Sequence, residues 1–194
     1  MAGAAILAGG AARRMGGADK ARLRVDGRTI LDRQIEVLRS VVDRIFLVGY
    51  RGDAPVPHDV TAVDDRVANA GPLAGLDAAL SVANDDVLLL ACDMPNVPSA
   101  LLAHLLALTD DADMVVPRTE RGYHPLCAAY TRGCAPVVRA RLERGQLRML
   151  DLISELRVRV VGPDEIARFG DGDRLLANVN TPAELDAVAS LLSH

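Results

Sequence analysis

Lysine is almost missing from this chain. Of its 22 lysine and arginine residues, Lys20 alone is a lysine, so arginine serves wherever a generic surface cation would do. Tryptophan is absent and aromatic residues make up 3%, too few for the stacking platforms of single-strand nucleic-acid binders. A net charge of −4 also argues against a general nucleic-acid binder, so no nucleic-acid partner is expected. The three cysteines, Cys92, Cys127 and Cys134, show no C-x-x-C spacing and read as small buried hydrophobes in a reducing compartment. His58, His104, His124 and His194 are too dispersed for a local zinc motif. No apolar run reaches transmembrane length and no signal region precedes the first apolar run. The expectation is a cytoplasmic protein without membrane association.

What is present is a core. The 194 residues are 50% hydrophobic, which argues against disorder and suits a single domain over 1–194. Apolar runs at Ala4–Ala8, Arg44–Val48, Val60–Val63, Val87–Ala91, Met114–Pro117, Leu126–Tyr130, Arg157–Val161 and Leu175–Val179 read as strands. Leu23–Arg28 reads as a short extended piece with a turn at Asp26-Gly27, and Arg118–His124 as a polar loop. Helices are expected from a Thr29 cap to about Val42, from Pro72 to Val82, from Ser99 to Leu108, over Cys134–Arg144 and Met149–Leu156, and from a Thr181 capping box to Leu192. Several strands are continuously apolar and alternate with helices. This predicts an α/β fold with a mostly parallel sheet covered on both faces.

The stretch Ala4–Lys20 organises the rest. A buried strand runs into a loop with Gly9, Gly10, Gly16 and Gly17, and the loop closes on Lys20. Glycines allow close backbone approach, successive exposed N–H groups make an anion nest, and Lys is a compact charge that fits between phosphate oxygens. Arg13, Arg14, Lys20, Arg22 and Arg24 face only Asp19 as an acid in that window. A basic pocket on an acidic protein suits a small polyanion. The loop is not a P-loop, because Lys20 lies between Asp19 and Ala21, and it lacks the G-x-G-x-x-G spacing. In an open α/β sheet, ligands bind beyond the carboxyl ends of the strands. Leu7–Gly10, Asp64 and Asp93 each follow a predicted strand, so parallel strands would bring them to one crevice. Asp93 suits magnesium, which takes one or two carboxylates plus phosphates and waters; as a helix cap it lies too far before Pro98.

The motif Leu7-Ala8-Gly9-Gly10, Arg14-Met15-Gly16 and Lys20 resembles the signature of nucleotidyltransferases. Three further stretches, Gly71-Pro72-Leu73-Ala74-Gly75, Cys92-Asp93-Met94-Pro95 and Asn178-Val179-Asn180-Thr181-Pro182, narrow the resemblance to the molybdenum cofactor guanylyltransferase family. The resemblance spans nearly the whole chain. It implies a three-layer, Rossmann-like nucleotidyltransferase fold. It also implies Mg2+-dependent transfer of GMP from GTP to the phosphate of molybdopterin, with release of pyrophosphate. The molybdenum-insertion protein that hands over the cofactor is a candidate partner.

On that reading Lys20 and Asp93 are the catalytic pair. Leu7, Ala8, Gly9, Gly10, Lys20, Asp64 and Asp93 bind nucleotide, Asp93 holds the metal, and Asn178 and Asn180 contact the acceptor. Asp64 reads equally as a turn residue beside Asp65, and Asn180 as the shaper of the turn before Thr181. His124 has an acceptor-facing reading and a plain capping one. Val48 stands where relatives can carry a nucleotide-contacting asparagine, a departure that shifts any contact to backbone or to Tyr50. No Ser-His-Asp or Cys-His set suggests itself, and none is needed if the acceptor's phosphate is the nucleophile. Two alternatives remain at this point: a transferase for CTP or for another phosphorylated acceptor, and a nucleotide-binding module without turnover. Lys20→Ala should lower turnover at least about 100-fold. Lys20→Arg should rescue it poorly, because the wider fork cannot occupy the same gap; steady-state kinetics with near-normal activity for the Arg variant would refute the lone-lysine argument.

Overall fold

The run Gly3–Leu7 is buried at every position, and so is Val87–Ala91. Strands of this kind can sit only between two apolar layers. The computed structural model describes residues 2–9, 24–25, 28–52, 55–64 and 70–179. In chain order these form β1 (Gly3–Leu7), β2 (Arg24–Val25), β3 (Arg28–Thr29), α1 (Ile30–Arg39), β4 (Arg44–Val48), β5 (Val60–Val63), α2 (Gly71–Ala83), β6 (Val87–Ala91) and α3 (Ser99–Leu106). Then come β7 (Met114–Thr119), β8 (Gly122–Tyr123), β9 (Cys127–Tyr130), α4 (Ala135–Glu143), β10 (Val158–Val161), α5 (Pro163–Ile166) and α6 (Gly172–Leu175). Short 3-10 turns occupy Arg132–Cys134 and Met149–Ser154.

The main sheet has the order β10-β7-β9-β6-β1-β4-β5, with β8 folded back on β7. Pairings β6–β1, β1–β4, β4–β5 and β10–β7 are parallel, while β9 runs antiparallel to both β6 and β7. Alternation along each strand splits the core in two. Ala4 and Ile6 join Leu88 and Leu90 on one face under α1 and α3. Ala5 and Leu7 join Val87 and Leu89 on the other, under α2 and α4. The expected α/β sandwich with helices on both faces is therefore what forms. Among the described residues no helix is long and apolar enough to cross a membrane.

Local chemistry sets the boundaries. The Thr29 side chain accepts from Asp32 N at 3.0 Å while Thr29 N donates to Asp32 Oδ2 at 3.2 Å, a capping box that starts α1. Three expectations are corrected. Arg118–His124 is not a plain loop: β7 extends to Thr119 and returns through Gly122, whose φ of +115° favours glycine. Met149–Leu156 is a 3-10 turn, not an α-helix. Leu175–Val179 is not a strand, because Asp171 caps α6 by accepting from Arg174 N at 3.1 Å and the chain then runs on without sheet pairing. The helix expected from Thr181 lies outside the described residues.

The amino ends of β7 and β10 are tied by Asp113. It accepts from Arg157 N at 3.0 Å, Nε at 3.1 Å and Nη2 at 2.8 Å. The Arg157 guanidinium thereby holds the Asp113 carboxyl below its ordinary range. A depressed carboxylate contributes stability above its unfolded pKa of about 3.9 and loses it as pH falls through the folded value. Urea unfolding across pH 2–7 should show Asp113→Asn about 1–2 kcal/mol less stable at pH 7, with Arg157 largely exposed. The variant should also lose less stability on acidification than the unmutated protein.

Candidate active site

Sheet register levels the strand ends. Leu7 is paired with both Val48 and Ala91, and Val48 with Val63. Backbone bonds continue one step beyond the ladder: Ala8 N to Val48 O at 2.9 Å, Cys92 N to Leu7 O at 3.2 Å and Gly49 N to Val63 O at 2.9 Å. Ala8–Gly9, Gly49–Tyr50, Asp64 and Cys92–Asp93 therefore leave the sheet side by side along one carboxyl edge. The expected convergence of Leu7–Gly9, Asp64 and Asp93 is met. Gly10, Lys20 and Asn180 lie outside the described residues.

Along that edge the residues differ in kind. Leu7 is buried and anchors the strand, Ala8 is half-buried and Gly9 is exposed. Asp64 is exposed and Asp93 half-buried. Their strands β5 and β6 are three positions apart, about 14 Å at ordinary strand spacing. Magnesium–oxygen bonds are about 2.1 Å, so these carboxylates serve different parts of an extended ligand and cannot share one ion. Among the described residues no group of three or more His, Cys, Asp or Glu could hold a metal. A single carboxylate such as Asp93 is the kind of donor that suits an ion drawing most of its ligands from phosphate and water, as magnesium does. Its alternative as a helix cap falls away, because α3 begins at Ser99 with Pro98 before it.

Two further segments frame the edge. The second glycine of Gly71-Pro72-Leu73-Ala74-Gly75 packs α2 against β1, the strand that ends before Gly9. A Cβ on Gly75 would lie 2.6 Å from Leu7 Cδ2. Val48 is 1% exposed and faces the core, so it offers a ligand no side chain. The Tyr50 ring lies over Gly52. Val179 N donates to Asp93 O at 2.7 Å, which docks the exposed Asn178 beside Asp93. His124 sits at the same edge, where β9 begins. Its N donates to Pro117 O at 2.9 Å, and its Nε2 is 3.1 Å from Thr119 Oγ1. Burial lowers the imidazole's pKa below its ordinary value, while Asp173 opposes this and Arg121 adds to it. The cysteines are buried, and burial pushes Cys127 and Cys134 up to about 12, which leaves those thiols inert as nucleophiles.

Sequence reasoning missed Gln34. This buried side chain donates through Nε2 to Ala91 O at 2.8 Å and Met94 O at 3.0 Å, bracketing Asp93 from α1. Its signal was positional: with Ile30, Leu31, Ile35 and Leu38 it occupies the inward face of the helix, where a polar residue needs a partner.

A glycine-rich strand exit level with separated carboxylates, on the carboxyl edge of a parallel sheet, defines a nucleotide-handling α/β domain. The model of the MobA-like NTP transferase domain matches residues 4–160. The chain belongs to that family. A molybdenum cofactor guanylyltransferase of Desulfosudis oleivorans is 33% identical over 93% of this chain and 91% of its own length. One of Aliivibrio salmonicida is 34% identical over 96% and 95%. The crystal structure of molybdopterin-guanine dinucleotide biosynthesis protein A from Archaeoglobus fulgidus superposes with a TM-score of 0.80 over 98% of both chains at 22% identity, a likeness of fold.

Gln34→Leu keeps the volume but strands two carbonyls. It should cost about 1–3 kcal/mol in urea unfolding. It should also speed hydrogen exchange at the Met94 amide at least about tenfold as the Asp93 loop loosens.

Proposed function

We propose that this protein transfers GMP from GTP to the terminal phosphate of molybdopterin, forming molybdopterin guanine dinucleotide and pyrophosphate. Two relatives above 30% identity across nearly their whole lengths carry the name molybdenum cofactor guanylyltransferase. The observation that carries the reading is the level edge on which Ala8–Gly9, Asp64 and the backbone bond from Val179 to Asp93 meet. On this reading the nucleotide lies on one side of Asp93 and the acceptor on the other.

The chemistry asks little of side chains. A phosphomonoester has a second pKa near 6, so the acceptor is largely dianionic at neutral pH and needs no general base. Its oxygen attacks the α-phosphorus of GTP, the bond to the bridging oxygen breaks, and pyrophosphate leaves with the electron pair. What remains is to align two polyanions and screen their repulsion, which is positioning and electrostatics. In this reading Gly9 and Gly10 allow the backbone to approach the phosphates, Lys20 adds a compact positive charge and Asp64 serves the nucleoside end. Asp93 holds Mg2+, which when bound would neutralise charge on the α-phosphate and the leaving group. Asn178 and Asn180 contact the acceptor. The reading includes receipt of molybdopterin from the molybdenum-insertion protein, because a labile cofactor favours direct handover, and a cytoplasmic setting in which thiols stay reduced.

A pyrophosphate-release assay with molybdopterin should show turnover with GTP and Mg2+ and little with CTP or ATP. Preference for CTP would reassign the donor, and release without acceptor dependence would refute the transfer. Asp93→Asn should raise the Mg2+ concentration needed for half-maximal rate at least about tenfold; an unchanged Mg2+ titration would remove Asp93 from the metal site.

A further inference from the structure

Beyond Asp93, away from β1, the edge carries polar groups that neither the fold nor the transfer chemistry accounts for. Asn96 Oδ1 and Asp173 Oδ1 are both buried, and among the described residues neither has a hydrogen-bond donor. A buried acceptor without a donor costs its full desolvation and calls for an explanation. The orientation of Asn96 is fixed, because its Nδ2 donates to Arg174 O at 3.2 Å. That bond joins the loop after Asp93 to the turn that carries Asp173. Asp173 Oδ2 in turn lies 3.3 Å from Arg121 Nε, and its charge reaches His124. The two orphan acceptors thus lie on one wall, and the same chain continues from it to Val179, which is bonded to Asp93 O.

His124 supplies the complementary polarity. Thr119, itself 6% exposed, accepts from Arg121 N at 3.2 Å through Oγ1. Its own O–H is then free to donate to His124 Nε2, 3.1 Å away. In the neutral imidazole this places the ring proton on Nδ1, an assignment made from the hydrogen-bond network. Two acceptors and one donor complement a planar edge with two N–H donors and one acceptor. The 2-amino-4-oxopyrimidine edge of a pterin has that pattern, and so does guanine.

We infer that Asn96 and Asp173, with His124, form the acceptor-specificity site: they read the aminopyrimidinone edge of the pterin on the side of Asp93 opposite the nucleotide. Position selects the pterin over guanine. Asn96 follows β6 and Asp173 reaches the β7–β8 hairpin, whereas the glycine-rich exit and Asp64 lie on β1 and β5. The inference rests on the reading of the protein as a molybdopterin guanylyltransferase.

The test measures KM for molybdopterin and KM for GTP separately in Asp173→Ala and Asn96→Ala. KM for molybdopterin should rise at least about tenfold, a loss of about 1.4 kcal/mol, with KM for GTP within about twofold of the unmutated protein. The melting temperature of Asp173→Ala should stay level or rise, since the free protein loses only an exposed ion pair and an unsatisfied acceptor. Should one variant fail to fold, the other decides. A rise in KM for GTP alone would assign the edge to guanine and overturn the inference. Unchanged constants, or equal changes in both accompanied by a fall in melting temperature, would overturn it too. Failure of the underlying reading looks different: the unmutated protein would make no dinucleotide from GTP and molybdopterin, and the inference would fall with it.

Discussion

The parallel register of β6, β1, β4 and β5 is the constraint on which the molecule depends. Each of these strands exits at the same level because Leu7 is held between Val48 and Ala91 and Val48 is held by Val63. The apolar runs make this arrangement obligatory. A strand buried on both faces tolerates no polar side chain along its length, so polarity is displaced to the ends. Once β1 and β6 are committed to the core, the first residues free to be charged or flexible are Gly9 and Asp93. Packing thereby decides where chemistry can occur.

The antiparallel strand β9 divides that edge. On one side lie the glycine-rich exit and Asp64, spaced for an elongated ligand. On the other, β9 begins at the edge while β6 and β7 end there, so the His124–Cys127 turn and the β7–β8 hairpin fill the rim with side chains. The chain then returns after β10 to place residues 171–179 across it, bonded to Asp93 through Val179. A group-transfer enzyme needs two substrates on opposite sides of one reacting phosphate. A change of strand direction within one sheet supplies two unlike walls.

Much of this was legible, for reasons that can be located. Continuous apolar runs named the strands because burial on both faces leaves no other composition, and Thr29 announced α1 through its capping chemistry. The site residues were legible as the first polar positions after such runs. Leu175–Val179 misled because an apolar run cannot by itself distinguish a strand from a turn tucked into the core. Leu175 and Leu176 do bury against the sheet, but the Asp171 cap sets the backbone. Gln34 escaped because its partners are backbone carbonyls of Ala91 and Met94, which sequence pattern does not reveal. The hairpin at Arg118–Tyr123 escaped because its register depends on Gly122 in the left-handed region and on the Arg118 guanidinium lying 5.9 Å from the Tyr123 ring centroid.

The scarcity of lysine also has a structural side. Arg39 reaches Asp59 through Nε at 2.6 Å and Nη2 at 2.7 Å. Arg157 grips Asp113 through two guanidinium nitrogens, and Arg159 Nη2 contacts both oxygens of Glu165 at 3.0 and 2.8 Å. The buried Arg141 spans Asp151 at 2.7 Å and Glu155, and its Nη2 also reaches the Arg148 carbonyl at 3.5 Å. The Arg39 and Arg157 contacts are forked and Arg141 donates through separate nitrogens to two carboxylates, geometries that a single ammonium cannot reproduce. Arginine in this fold is thus an architectural cation that staples strand ends and helices from the outside. A phosphate loop makes the opposite demand, for a small charge at the end of a flexible stem that can follow a phosphate as its bonds change. The two demands separate the two residue types, and the proposed phosphate-binding role of Lys20 rests on that chemical distinction as well as on resemblance.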